Sequence, residues 1–354
     1  METKFMKRLS SLDILRGLVL FLLVFLQPVL ISFGHVSGSG WILYNFDHEV
    51  WEGFRLWDLV MPLFLFMAGV SLPFSLAKYT KTGKRKSVYL RIGKRFVMLF
   101  LLGMVVQGNL LGLDLGHLAI YNNTLQAIAV GYVIAALTFL HCPEKYRLLI
   151  AAALLLIYWL PMHFCGDYTV SGSFAARVDA FVLGRFRGDP SYTWIWSSLN
   201  FGVTVILGSF AGTVMKKNRS GLRVVYKLLF TGTACIAAGL LWGLEMPVIK
   251  RLWTSSMTLL SGGICLVLMA AFHWWIDIRG HTRGLQWLNI YGMNSIAAYV
   301  IGESVSFISI ANSLLYGFEQ YLGGYYEVLL RLANYSIVFL ILTLMYRNSI
   351  FVKV

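Results

Sequence analysis

Apolar residues in this chain fall in runs of about twenty, separated by short polar stretches in which lysine and arginine predominate. A helix rises 1.5 Å per residue, so roughly 20 residues cross a hydrocarbon core of about 30 Å. Runs of that length predict spans at 12–32, 57–77, 94–112, 121–140, 147–163, 193–214, 224–244, 255–275, 285–308 and 326–346. The predicted fold is therefore all-α: a polytopic integral membrane bundle of about ten transmembrane helices, one domain over residues 1–354. The span 285–308 carries Asn289, Asn294 and Glu303 and is too polar to face lipid. Lys4, Lys7 and Arg8 before the first apolar run resemble a signal peptide, but no A-x-A-like site follows, so that run is expected to stay as the first helix.

Charge orients the bundle. With ten spans, 23 of the 30 lysines and arginines fall on the side of the N-terminus, among them the run from Lys78 to Arg95 and Lys216, Lys217, Arg219, Arg279, Arg283 and Lys353. The opposite side keeps Arg55, Arg177, Arg185, Arg187, Lys250, Arg251 and Arg331. This positive-inside asymmetry places both termini in the cytoplasm, and one helix more or fewer would blur it.

Composition supports the membrane class: 58% of residues are hydrophobic and 13% charged, where soluble domains carry nearer a quarter. The net charge of +14 sits in clusters between apolar runs, which argues against a nucleic-acid partner and suits anionic membrane lipids. Cys142, Cys165, Cys235 and Cys265 are widely spaced, with neither a zinc-site pattern nor a disulfide framework, so no metal is expected.

Two outer loops stand out, 33–56 and 164–192. The first runs into the stretch Asp47–Pro62, which packs His48 among Asp47, Glu49 and Glu52 and sets Asp58 at the mouth of a span. A histidine beside carboxylates can serve as general base or accept an acyl group; the same loop can equally be a solvated interface. His35, His117, His141, His163, His273 and His281 have no comparable surroundings and are expected at the surface. The inner stretch from Lys78 to Arg95 holds eight basic residues in eighteen. It is either a topology determinant or a docking surface for a cytosolic polyphosphate, with Arg91, Lys94 and Arg95 as candidate contacts, and it has no P-loop pattern. At Met246–Ser256, Ser255 or Ser256 can cap the following helix, or the helix start can hold an anion.

Several pieces recur in order along nearly the whole chain. They are Leu9–Leu18 (LSSLDILRGL), His48–Gly53 (HEVWEG), Asp58–Ser71 (DLVMPLFLFMAGVS), Asn123–Gln126 (NTLQ), Leu252–Ser256 (LWTSS) and Gly292–Ile296 (GMNSI). Taken together they resemble the heparan-α-glucosaminide N-acetyltransferase family of transmembrane acyltransferases and its shorter bacterial relatives. That resemblance implies transfer of an acetyl group from cytosolic acetyl-CoA, as co-substrate, to the amine of a glucosamine-type sugar on the outer face. It places the active histidine on His48, with Asp58 or Asp47 holding its imidazole. Arg91, Lys94, Arg95, Trp253, Ser255 and Asn294 are then expected near coenzyme A, and Glu49, Trp51, Glu52 and Gln126 near the acceptor. It also implies a homodimer in a bacterial inner membrane. The family's W-N-G or W-H-G is Trp51-Glu52-Gly53 here, Gln27-Pro28 stands where it has Asn and a turn, and Ala127 replaces the Arg after L-Q. The competing expectation is a transporter or flippase for a sugar or lipid-linked precursor, built around the polar residues of 285–308.

Overall fold

The computed structural model describes residues 9–80, 85–217 and 221–352. Lys4, Lys7, Arg8, Lys81, Lys84, Arg219 and Lys353, part of the cationic set expected on the inner side, lie outside the described residues. Within them every regular element is helical, and the one extended pairing is an isolated antiparallel bridge between Glu52 and Ile249.

Eight helical runs among the described residues are long and apolar enough to cross a membrane: Ser10–Ser37, Leu56–Leu76, Thr124–His141, Glu144–Phe164, Ser198–Lys217, Leu222–Gly243, Ser255–Ile278 and Ile308–Arg347. Two of the ten expected spans differ. Arg85–Val106 is a helix of 22 residues, long enough to cross, that falls outside this set because Lys86, Arg91, Lys94 and Arg95 load its first half with charge. The run 285–308 is not continuous: it forms Leu288–Met293 and Ser295–Ser304, broken at Asn294, whose φ of −112° and ψ of 36° leave the helix. The first run, at 28 residues, is roughly 42 Å long and contains Pro28, which has no N–H to give. The helix widens to a π-turn over Leu22–Leu26, just before that proline, as helices do where an insertion must be absorbed.

The described chain divides into two units. Of the described residues, one comprises 9–48, 221–225 and 269–352; the other comprises 49–80, 85–217 and 226–268. In the second unit Ser198–Lys217 is the central helix, buried along most of its length and packed on Val60–Thr80, Thr124–His141 and Glu144–Phe164. Small residues bring the backbones together. A Cβ added at Gly208 would lie 2.0 Å from the Phe66 carbonyl oxygen, and one at Gly69 would lie 2.1 Å from that of Val205. Membrane helices have no solvent to drive them together, so close van der Waals contact through such small residues is what holds them.

The first unit repeats the device between Ser10–Phe21 and Leu288–Met293, where Gly17 meets the Leu288 carbonyl and Gly292 that of Asp13. The start of Ser10–Phe21 has no side-chain cap of its own. Asp277 supplies one from the π-turn His273–Ile278: its Oδ1 accepts the Ser11 N–H at 3.2 Å, and its Oδ2 takes the Ser11 hydroxyl and the His273 Nδ1, the latter at 2.9 Å. His273, expected at the surface, is thus wholly buried, because Asp277 one turn on gives its ring a partner away from water.

Gly208→Ala should lower the melting temperature of the detergent-solubilised protein by several degrees, as overpacking costs about 1–3 kcal/mol. Gly93→Ala, at an exposed helical glycine whose added methyl meets nothing within 4 Å, should leave it unchanged or slightly raised. Equal behaviour of the two variants would remove the close-packing account.

Candidate functional site

The residues singled out around His48 converge on a backbone arrangement. The helix Gly40–Phe46 ends at Asp47, in extended conformation, and the Asp47 Oδ1 accepts the N–H of His48 at 2.7 Å. One residue on, the Glu49 N–H donates to Oδ2 of Asp58 at 3.2 Å. The peptide nitrogens of His48 and of its successor are therefore each held by a carboxylate. Asp58 closes the 3₁₀ turn Leu56–Leu59 that leads into Val60–Thr80, and its Oδ2 also accepts the Arg55 N–H at 3.0 Å. It is wholly buried, and its Oδ1 lies 3.4 Å from the Lys250 ammonium, itself only 8% exposed.

Glu49 forms a two-pronged pair with Arg55, Oε2 to Nε at 2.8 Å and Oε1 to Nη2 at 3.0 Å. Such fork geometry is the strong form of the carboxylate–guanidinium bond. The Arg55 guanidinium accordingly holds the Glu49 carboxyl below the usual range, against a smaller opposing effect of burial. Gly53 allows the chain to turn, at φ 130°, and the Glu52–Ile249 bridge with the Gly53 N–H to Val248 carbonyl bond (2.9 Å) ties the loop to the segment 246–256. Trp51 gives its indole N–H to the Tyr168 carbonyl at 2.9 Å and packs on the cluster of Tyr158, Met246, Ile249 and Leu252. The side chain of Glu52 is exposed.

The segment 249–256 is built rather than loose. Trp253 is 2% exposed and sits at φ 53°, a left-handed conformation that a bulky residue rarely takes. Its carbonyl accepts the Asn200 Nδ2 at 2.8 Å, and the neighbouring Leu252 carbonyl accepts the Tyr158 hydroxyl at 2.6 Å and the Ser197 hydroxyl at 2.8 Å. The helix Ser255–Phe272 is capped from Thr254, whose Oγ1 accepts the Met257 N–H at 3.4 Å; Ser255, one of the two expected caps, instead donates to the Leu155 carbonyl at 2.9 Å. The buried Trp253 Nε1 and Asn200 Oδ1 have no protein partner.

The remaining candidates lie apart from this loop pair. Arg91, Lys94 and Arg95 occur at i, i+3 and i+4 on Arg85–Val106 and so share a face; Arg95 stacks 4.2 Å above the Tyr132 ring. Gln126 is committed to structure: its Oε1 accepts the N–H groups of Asn122 and Asn123, and its Nε2 donates to the carbonyls of Ile120 and Phe100, while Asn123 accepts the Leu125 N–H. That reciprocal pattern is a capping box on Thr124–His141. Asn294 sits at the helix break of the first unit, its Oδ1 accepting the Val352 N–H at 3.3 Å.

Lys250, Asn200, Tyr158 and Asp179 were not picked out by residue pattern. The one signal for Lys250 was its expected place on the cation-poor side, where the positive-inside rule gives it no task. Asp179 is buried on the helix Phe174–Leu183, its two oxygens accepting the Trp194 N–H at 2.7 Å and the Ile195 N–H at 2.9 Å. Burial pushes its carboxyl up to about 6, outweighing the two backbone bonds. Because the folded value exceeds the ordinary 3.8, this group's stabilising contribution is complete at low pH and is lost as pH rises through 6. Between pH 7 and pH 5 the wild type should gain on the order of 1–2 kcal/mol relative to Asp179→Asn, read as the difference in their melting-temperature slopes. Parallel slopes would show that Asp179 does not titrate in this window.

Comparison with known proteins agrees with the motifs that carry this geometry. The family model for the catalytic region of heparan-alpha-glucosaminide N-acetyltransferase matches residues 8–236. The chain is 25% identical to heparan-alpha-glucosaminide N-acetyltransferase of Homo sapiens and 24% identical to that of Mus musculus, over 83% of its own length in each case. It spans 52% of the human and 53% of the mouse protein, about half of each. With a family match across well over half of its residues, the loop of His48 and Asp58 included, the chain belongs to the heparan-alpha-glucosaminide N-acetyltransferase catalytic family.

Proposed function

We propose that this protein moves an acetyl group from acetyl-CoA, drawn from the cytosol, to the amine of a glucosamine-type sugar on the outer face of the membrane, a bacterial inner membrane. The observation that carries the proposal is His48, in the family's matched region, with its own peptide nitrogen and that of Glu49 held by Asp47 and Asp58. A fixed backbone leaves the imidazole few ways to point, and positioning of that kind is where much catalytic advantage arises.

An amino sugar is protonated near neutral pH and must lose a proton before it can attack. In the proposed reaction His48 takes that proton, the amine nitrogen bonds to the thioester carbonyl carbon and the carbon–sulfur bond breaks; the second proton, lost by the nitrogen as the amide forms, goes to the departing coenzyme A thiolate. In the alternative order the imidazole itself attacks the thioester, and the acetyl group passes from His48 to the amine. Arg91, Lys94 and Arg95, sharing one face of Arg85–Val106, offer the charge that the phosphates of coenzyme A need. Trp51 and the exposed Glu52 stand at the loop where an acceptor would be read, with Glu49 bracing it through Arg55. Trp253 and Ser255 serve the site by shaping the turn beside Asp58. The reaction requires a protein-lined route for the thioester, since lipid cannot solvate it.

The helix interruption at Asn294 is the one feature that a transporter would share. Uptake of a sugar by proteoliposomes without acetyl-CoA would choose that second reading. For the enzyme, incubation with labelled acetyl-CoA and a panel of amino sugars, followed by mass spectrometry, should give an N-acetyl product. His48→Ala should reduce turnover by at least a thousandfold while the protein still accumulates in membranes. Label retained on His48 in the absence of acceptor selects the acetyl-histidine order; turnover close to wild type in His48→Ala removes the residue from its role.

A further inference from the structure

Two features of the second unit have no account in helix packing: a lysine buried beside a carboxylate, and a tryptophan held in a left-handed backbone conformation three residues later. They belong to one turn. The Trp253 N–H donates to the Lys250 carbonyl at 2.9 Å, and the Thr254 N–H donates to the Ile249 carbonyl at 3.2 Å, so the turn closes on itself around the strained residue. A non-glycine residue in this region costs on the order of 1–3 kcal/mol and persists only where the surroundings fix it. Here the Asn200 amide holds the Trp253 carbonyl, Tyr158 and Ser197 hold that of Leu252, and the Thr254 hydroxyl holds that of Pro247 at 2.9 Å. Several buried polar groups thus converge on one short turn.

What the turn delivers is the ammonium group of Lys250, 3.4 Å from the wholly buried Asp58. The bridge between Glu52 and Ile249 fixes the register of the two segments, so the approach of the pair is set by backbone geometry. Asp58 in turn spends its other oxygen on the N–H groups of Arg55 and Glu49. The Glu49 nitrogen belongs to the peptide unit whose carbonyl is that of His48.

We infer that Lys250 is a positioning residue of the proposed transfer reaction, acting through Asp58 on the backbone that carries His48; the inference rests on the function proposed above. A carboxylate out of water needs a compensating cation, and without one it must rearrange, take in water or change its bonding. Any of these loosens its grip on the Glu49 N–H. A merely structural pair would instead change stability alone.

Three variants separate the two roles: Lys250→Met, which removes charge and hydrogen bond; Lys250→Gln, which keeps a donor and so guards against loss of the fold; and Lys250→Arg, which keeps the charge. Each is purified in detergent and compared with wild type and His48→Ala in steady-state acetyl transfer from acetyl-CoA to glucosamine. The rate at which diethylpyrocarbonate modifies His48 is followed in parallel by mass spectrometry of the peptide that contains it. Lys250→Met and Lys250→Gln should lower kcat at least tenfold with the acceptor KM within threefold, and should raise the modification rate at least threefold. Lys250→Arg should return both readouts to within threefold of wild type. The inference is overturned if the modification rate is the same in all three variants, whatever their activity or melting temperature. It is equally overturned if Lys250→Met and Lys250→Gln keep wild-type kcat while His48→Ala is inactive, a result that leaves the acetyltransferase function standing. Wild-type turnover in His48→Ala would remove His48 from the reaction and overturn the inference with it, while absence of acetyl transfer in the wild type would sink the function itself.

Discussion

The loop that carries His48 depends on a carboxylate placed where water does not reach it. Asp58 begins an apolar helix and is wholly buried, a position in which an unpaired charge would cost several kcal/mol. The surrounding chain is arranged to meet that constraint: two backbone N–H groups from the preceding loop and one ammonium from a segment 192 residues away. Because the partners come from both sides, satisfying Asp58 also fixes the path of residues 49–55 against residues 246–250. The Glu49–Arg55 fork and the Glu52–Ile249 bridge brace the same loop.

Beneath that loop the second unit is organised for close approach. Ser198–Lys217 brings glycine against backbone carbonyls of Val60–Thr80, the helix that Asp58 starts. The same central helix projects Asn200 toward the Trp253 carbonyl. Helix packing and loop geometry are therefore coupled through shared elements: the helix that locks on Gly69 also sets the turn that presents Lys250. A loop bearing a reactive group is usually held by a rigid scaffold, and here the scaffold reaches the loop by hydrogen bonds to main-chain carbonyls, which do not depend on the side chains they bypass.

The helical membrane class was legible because hydrophobicity over twenty residues is a property of composition. So was the His48–Asp58 stretch, since ionisable residues crowded at the edge of an apolar run are conspicuous. The helix break at Asn294 was visible only as excess polarity; the bond that its side chain accepts from the Val352 N–H, 58 residues on, is encoded in no local pattern. The expected span 94–112 rests on the apolar second half of Arg85–Val106; the helix itself starts earlier, in a cationic stretch that hydrophobicity alone does not mark as helical. Gln126 looked like a substrate contact in isolation, but its amide bonds nitrogens and carbonyls brought near by the turn before its helix. The roles of Lys250, Asn200 and His273 needed tertiary structure, because their partners Asp58, Trp253 and Ser11-bound Asp277 gain meaning only once helices are stacked. Nothing in the residue type foretold a left-handed Trp253.

These distinctions bear on how the chain departs from its relatives. At Trp51-Glu52-Gly53 the structural work is done by the indole N–H, by the backbone of residue 52 in its bridge to Ile249, and by the positive φ of Gly53. The side chain of residue 52 takes no part in those contacts and is exposed. A substitution there can alter what the loop meets outside without disturbing what holds it inside. Ala127, by contrast, is buried beside the capping box of Thr124–His141, where a long cationic side chain would have to find both space and a counter-charge. The exposed Glu52 adds negative charge to a face that would receive a protonated amine, so it favours a cationic acceptor over an anionic one. Under the proposed function, the side chain of residue 52 can therefore change while the carboxylate, lysine and glycine contacts that fix the histidine loop stay as they are.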